Sequence, residues 1–389
     1  MNLDNSLQDA LRERRAKSLY RQRTCVESAQ GVEIVRNGKS YLSFCSNDYL
    51  GLANHPKVIE AFNLAAKKYG VGSGASHLVC GHSHEHHALE EALADFTGRS
   101  RALLFSSGYM ANMGVINALL KRGDTVFEDR LNHASLIDGA LLSAADFKRF
   151  RHNDLAHLEQ QLSQSNSIRK VIVVDGVFSM DGDFAKLPDL CVLAEKYNAW
   201  LVVDDAHGFG CVGKNGNGSV EHFGLGHSDV PILIGTLGKA FGTFGAFVAG
   251  SATLIETLIQ FARTYIYTTA LPPAVAAATR VSLGIIKQEP QRREHLTSLI
   301  DFFRQGCRDL KLDIMVSTTP IQPVLVGSAD KAMKISHLLE SKGFWVSAIR
   351  PPTVPADTAR LRVTFSANHT IEHVASLLNA LAEAFNAVE

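Results

Sequence analysis

The sequence predicts an α/β protein. A large domain carries a mostly parallel central sheet, and a small α+β domain follows at the C-terminal end. Three observations carry this. From Arg101 onward, short apolar runs alternate with helical patterns, as in parallel strands joined by crossover helices. Those runs are continuously apolar, as in strands covered on both faces. Chemical residues also stand just past two of them: Asp204-Asp-Ala-His207 follows Trp200–Val203, and Lys239 follows Pro231–Gly235. Ligands of open α/β sheets bind at the carboxyl ends of strands.

Taken in order, residues 2–20 read as a polar, basic helix with Leu7, Leu11 and Leu19 on its apolar side. Asn37-Gly38 lies between Val32–Arg36 and Tyr41–Phe44, a hairpin signal because both residues accept positive φ. His55-Pro56 opens a helix that Gly70 closes, with Val58, Ile59, Phe62 and Ala66 on one face. A short helix, Ala88 to Phe96, ends at Gly98. Strands are then expected at Ala102–Phe105, Thr125–Phe127, Val171–Val174, Leu201–Val203, Ile232–Ile234 and Ala246–Ala249. Helices are expected at Tyr109–Leu120, Asp154–Leu162 and Leu187–Tyr197. Pro272-Pro273 opens a long helix ending near Lys287. Beyond it come helices at 291–309, 330–342 and 370–386, with strands Gln322–Val326, Trp345–Ala348 and Arg362–Phe365. The expected division is an N-terminal segment 1–55, a large domain 56–288 and a small domain 289–389.

The chain has 389 residues, with 39 Lys+Arg against 39 Asp+Glu. That balance gives no global pull towards nucleic acid or an anionic membrane. Six cysteines are scattered without a C-x-x-C pair, which argues against a disulfide framework or a zinc knuckle. Neither a secretory signal nor a run of 18 apolar residues is visible. A reducing cytoplasm is the expected location.

A lone lysine in a glycine-rich turn is ordinarily a solvated loop residue. The carboxylate and histidine at the neighbouring strand end shift the reading of Lys239 to chemistry. A lysine that binds pyridoxal phosphate needs a carboxylate for the pyridine nitrogen, and Asp204 supplies one. Ser106-Ser-Gly108 leads a strand into a helix whose N-terminus suits a phosphate. His133, in Asn132-His-Ala-Ser, is placed to stack on an aromatic cofactor. Ser179 and His207 are candidate donors to the ring oxygen. Gly70-Val-Gly-Ser-Gly74 follows a helix rather than a strand, so it is not a dinucleotide fingerprint. His82, His84, His86 and His87 read as a solvated helix start rather than a metal site, and no metal is expected. Asp181-Gly-Asp183 begins like a calcium loop but lacks the later glutamate.

Five segments, in order, resemble the α-oxoamine synthases, fold-type-I pyridoxal-phosphate-dependent transferases: Ser46-Asn-Asp-Tyr-Leu-Gly-Leu52, Asn132-His-Ala-Ser135, Asp175-Gly-Val-Phe-Ser-Met-Asp-Gly182, Val203-Asp-Asp-Ala-His-Gly208 and Thr236-Leu-Gly-Lys-Ala-Phe-Gly242. The similarity runs nearly end to end. It implies pyridoxal 5′-phosphate as cofactor and acyl transfer as the activity. By this resemblance Lys239 is the Schiff-base lysine, Asp204 the pyridinium partner and His133 the stacking residue. Gly108, Tyr109 and Thr236 would lie near the phosphate, with Ser179 and His207 near the ring oxygen. Arg362 would bind the amino-acid carboxylate, and Arg21, Asn47, Ser76 and Thr353 would contact substrate. The resemblance also implies a homodimer with a shared site, in which Thr268 or Thr269 reaches the partner's cofactor. The implied substrates are L-alanine and a pimeloyl thioester, on coenzyme A or acyl carrier protein. Glycine C-acetyltransferase and 5-aminolevulinate synthase share nearly all these motifs. A non-catalytic subunit is disfavoured by the presence of Lys239. His84 and His87 depart from the family's usual single histidine, which corresponds to His86.

Overall fold

The computed structural model describes residues 3–17 and 19–388. The first helix runs Leu3–Ala16, shorter than expected, and residues 2 and 18 of the expected span lie outside the described residues. The hairpin forms as predicted. β1 (Glu33–Arg36) and β2 (Lys39–Ser43) pair antiparallel across Asn37 and Gly38, at φ 51° and 68°.

The large sheet has seven strands: β3 (Arg101–Phe105), β4 (Thr125–Asp129), β5 (Asp146–Phe150), β6 (Lys170–Asp175), β7 (Ala199–Asp204), β8 (Ile232–Thr236) and β9 (Ala246–Gly250). Their order is β3-β9-β8-β7-β6-β4-β5. All neighbours are parallel except β9, which runs antiparallel to both β3 and β8. Val126, Val173 and Val202 pack on one face against Val115 and Ile116 of the helix Gly108–Leu119. Phe127, Ile172 and Leu201 pack on the other against Leu158 and Leu190. Burial on both faces accounts for the unbroken apolar runs.

The helix Pro56–Tyr69 ends at Gly70 as expected. It buries Val58 and Ala65, however, whereas Ile59 and Phe62 remain 41% and 39% exposed. The helix rests on Pro273–Gln288, which covers only one edge of the expected apolar face.

In the C-terminal part, β10 (Ile321–Gly327), β12 (Ser347–Ile349) and β13 (Ala359–Thr364) form an antiparallel sheet. The expected strand Trp345–Ala348 divides at Val346. Its first part, β11 (Phe344–Trp345), leaves that sheet and pairs parallel with β2 of the N-terminal hairpin. The helices Gln291–Asp309, Ala329–Ser341 and Ile371–Asn386 match their predicted spans within about a residue. Among the described residues, no helix is long and apolar enough to cross a membrane.

Candidate active site

Strand register assembles the site. β6 and β7 pair with Asp175 opposite Asp204, so two carboxylates leave the sheet side by side at its carboxyl edge. β8 ends at Thr236, and Lys239 follows in a closed turn. Gly242 N–H donates to the Lys239 carbonyl at 2.8 Å, and Leu237 N–H to Gly245 at 2.9 Å. Gly242 has φ 66°, and a Cβ there would come within 2.3 Å of the Ala53 nitrogen. Only glycine allows the lysine turn to lie this close to the end of the Ser46–Leu52 segment.

A cavity of about 190 Å³ opens above these strand ends. Its wall includes Lys239, Asp204, Asp175, His133, His207 and Asn112, with Gly108, Tyr109, Ser179 and Thr236 at its margins. A cavity of ~150 Å³ accepts benzene, so an aromatic ring fits. The chemistry of the wall suits pyridoxal phosphate. Lys239 offers an amine, and buried Asp204 offers a carboxylate whose Oδ2 accepts from Asn112 Nδ2 at 2.6 Å. Asn112 Nδ2 also donates to Ser135 Oγ at 2.8 Å, while its Oδ1 is buried without a protein partner. The helix Gly108–Leu119 starts at the cavity, capped by Ser107, whose Oγ accepts from Met110 N–H. Its first-turn N–H groups are a ready anion site.

His133 caps the helix Ala134–Leu142, and its Nδ1 lies 2.7 Å from Ser135 Oγ. Its backbone N–H donates to Asp175 Oδ2 at 3.0 Å, which ties the histidine to the sheet edge. The ring itself is open to the cavity. Tyr109 stands edge-on to it, and the Tyr109 hydroxyl donates to Asp138.

Burial disfavours charge throughout. It pushes the Lys239 amine down to about 8, against the opposing pull of Asp204 and Asp175. It raises Asp175 well above the usual carboxylate range, and the adjacent Asp204 adds to this. It holds His207 well below its usual value, with Lys239 and Arg362 acting the same way. Asp205, next in sequence to Asp204, turns to the opposite side. Its Oδ2 accepts from Ser219 N–H at 2.6 Å, and burial raises it to about 7.

Arg362, on β13, reaches this region from the C-terminal sheet. Its Nε donates to the Ser179 carbonyl at 2.6 Å, and its two terminal nitrogens to Asn47 Oδ1 at 3.3 Å. The structure thus brings together all the predicted cofactor residues except Thr268 and Thr269, and links Arg362 to Asn47. Thr269 instead bridges to Ser76, and neither lines this cavity. Arg21 and Thr353 are exposed and also stand outside it.

Sequence reasoning passed over Asn112, Tyr49 and Asp175. Asp175 ends an apolar strand just as Asp204 does, so its signal was present. Asn112 sits one turn into an apolar helix. The histidine cluster is less solvated than expected. His84 and His87 are exposed, but His86 is fully buried and donates from Nε2 to the Leu271 carbonyl at 2.6 Å.

Residues 39–381 match the aminotransferase class I and II family, and the chain belongs to it. It is 63% identical to the 8-amino-7-oxononanoate synthase of Saccharophagus degradans, over all of this chain and 98% of that protein. With the enzyme of the same name from Cellvibrio japonicus it shares 61%, over 99% and 97% of the two chains. Among solved structures, Sphingomonas wittichii serine palmitoyltransferase superposes with a TM-score of 0.95 at 31% identity, covering 100% and 99% of the chains. The 8-amino-7-oxononanoate synthase of Francisella tularensis gives 0.78 at 33%, covering 89% and 98%. The chain is an α-oxoamine synthase of fold type I, as its motifs implied.

Proposed function

We propose that this chain condenses L-alanine with a pimeloyl thioester, with loss of CO2 and the thiol, to give 8-amino-7-oxononanoate. The observation that carries the chemistry is the convergence of Lys239, Asp204 and His133 on one cavity. The specific reaction is supported by full-length identity of about 60% to several enzymes of that name.

Pyridoxal 5′-phosphate is the cofactor, and when bound it supplies an electron sink for charge developing at the amino-acid α-carbon. Lys239 would hold it covalently. Asp204, oriented by Asn112 and by Ala206 N–H at 3.0 Å, would keep a proton on the ring nitrogen. His133 would cover one face, and the first turn of Gly108–Leu119 would take the phosphate. Arg362 presents a fork of donors suited to the alanine carboxylate. An amine whose value lies near 8 is well placed to accept and return the α-proton near neutral pH. Glycine and alanine differ by one methyl, worth only ~1–3 kcal/mol in a pocket, so the preference for alanine should be modest.

The working form we propose is a cytoplasmic homodimer with shared sites. Exposed Leu3, Leu7 and Leu11, together with Ile59, Phe62 and Phe244, supply apolar surface for such an interface. Thr268 and Thr269 stand clear of their own cavity, as residues serving a partner would. The test is a panel of amino acids and acyl thioesters given to the purified protein. Alanine with a pimeloyl thioester should give the highest kcat/KM. A preference for glycine with acetyl- or succinyl-coenzyme A would overturn the reaction and leave the family standing.

A further inference from the structure

The stretch from His77 to Glu90 lies outside the cavity at the strand ends, and the proposed reaction makes no use of its polar side chains. His82 closes the helical turn His77–Gly81. His87 and Glu90 are three residues apart on the helix His84–Thr97, so they are neighbours on one face. The chain folds His82 back onto that face. One donor atom from each of His82, His87 and Glu90 lies within 4.8 Å of the other two. His82 Nε2 is 4.0 Å from Glu90 Oε2, and the two histidine rings stand 6.0 Å apart at 81°.

Two of these three groups are held from behind by their other polar atom. Glu90 Oε1 accepts from Leu104 N–H, on the edge strand β3, at 3.0 Å, which leaves Oε2 for His82. A cation on His82 Nε2 places the imidazole hydrogen on Nδ1, and His77 Nδ1 stands 2.9 Å away to accept it. His77 is itself buried and stacked on Tyr265, with ring centroids 5.0 Å apart. Metal-binding histidines commonly donate from their second nitrogen in this way. His86 is excluded as a ligand. Its Nδ1 accepts from Ser83 N–H at 2.9 Å, and its Nε2 is engaged by the Leu271 carbonyl.

We propose that His82, His87 and Glu90 form a Zn2+ site of two imidazoles and one carboxylate, with His77 as a positioning residue. Imidazole and carboxylate donors suit this ion, and three protein ligands leave the remaining position to water. Ligands about 2.0–2.1 Å from a tetrahedral ion are roughly 3.3 Å from one another, so the group must contract on binding. The His87 side chain is 63% exposed and free to turn inward. His82 and Glu90, at 30% and 12%, form the more fixed side. The histidines alone would not make this site; the fold adds Glu90 to them. An ion here would also fasten the turn His77–Gly81 to the helix, next to Ser76 and its partner Thr269.

The test uses the full-length, untagged chain loaded with pyridoxal phosphate and cleared of metal, with Zn2+ and Co2+ as probes. Calorimetry should show one saturable Zn2+ equivalent per chain. His82→Ala, His87→Ala and Glu90→Gln should each weaken it at least about tenfold. His87 is exposed, so its variant keeps the test open should a change at buried Glu90 impair folding. His84→Ala, an exposed histidine outside the group, should leave the affinity unchanged. His77→Phe keeps an aromatic ring against Tyr265 but removes the acceptor, and it should cost about tenfold. Were His77 only a packing residue, that variant would bind as the unaltered chain does, and its positioning role would fall. Co2+ should give visible absorption without a thiolate charge-transfer band. Absence of saturable binding, binding that survives His82→Ala and His87→Ala, or an equal loss in His84→Ala would overturn the site. A thiolate band would give the metal to a cysteine and overturn it as well.

Discussion

His152 is a charged brace behind the site, and its removal should leave a pH-dependent mark on stability. Nδ1 lies 2.9 Å from Asp129 and Nε2 2.9 Å from Asp183. Both nitrogens donate, so the ring is an imidazolium. Burial opposes that charge, but the two carboxylates outweigh it and raise the group from 6.5 to about 10. At ~1.4 kcal/mol per unit this is at most about 5 kcal/mol. The side chain is 26% exposed, so screening by water reduces it to ~2–4 kcal/mol. The folded value is the higher one, so the contribution is complete below pH 6.5 and is lost as pH rises through 10. Urea unfolding of the unaltered chain and His152→Gln should differ by ~2–4 kcal/mol at pH 6.5, and the gap should shrink towards pH 10. A gap that stays constant across that range would refute the charged brace. The consequence reaches the site, because Asp129 also accepts from Leu131 N–H at 2.8 Å and so fixes the approach to His133.

Three further outcomes are expected. Asp204→Asn should keep the fold but slow exchange of the alanine α-proton by about a hundredfold, the value of ~2 units of lost support for a ring cation; exchange at the normal rate would place the role elsewhere. Mixed dimers of Lys239→Ala with a chain carrying Thr268→Ala and Thr269→Ala should recover part of their activity, since one site then has neither lesion. No recovery from proven heterodimers would count against crossed sites. Arg21→Ala should reduce kcat/KM for the pimeloyl thioester about tenfold more than for a monocarboxylic thioester of equal length, and equal losses would remove Arg21 from the distal carboxylate.

Much of this was legible because strands buried on both faces leave unbroken apolar runs. The sheet's edge was not. Asp146-Phe-Lys-Arg-Phe150 forms β5, but as an edge strand it alternates with charge instead of running apolar. The helix Ala134–Leu142 escaped because it is short and contains Gly139. A Cβ at Gly139 would come within 2.9 Å of Ile116, so that glycine serves close helix packing. Lys239, Asp204 and His133 could be read because each follows an apolar run or sits in a recognisable segment. Tyr49 could not, because its contact with His207 at 2.7 Å joins residues 158 apart in sequence. Nor does local sequence distinguish Asp204 from Asp205. The alternation of the strand does, by turning one to the cavity and the other to Ser219.

We propose the cavity at the ends of β6, β7 and β8 as the cofactor site, with Lys239 as its covalent anchor. Borohydride reduction of the purified, pyridoxal-phosphate-loaded protein, followed by digestion and peptide mass spectrometry, tests it directly. A phosphopyridoxyl group is expected on the peptide containing Lys239, and none there in Lys239→Ala. The group found on any other lysine of the unaltered chain would contradict it.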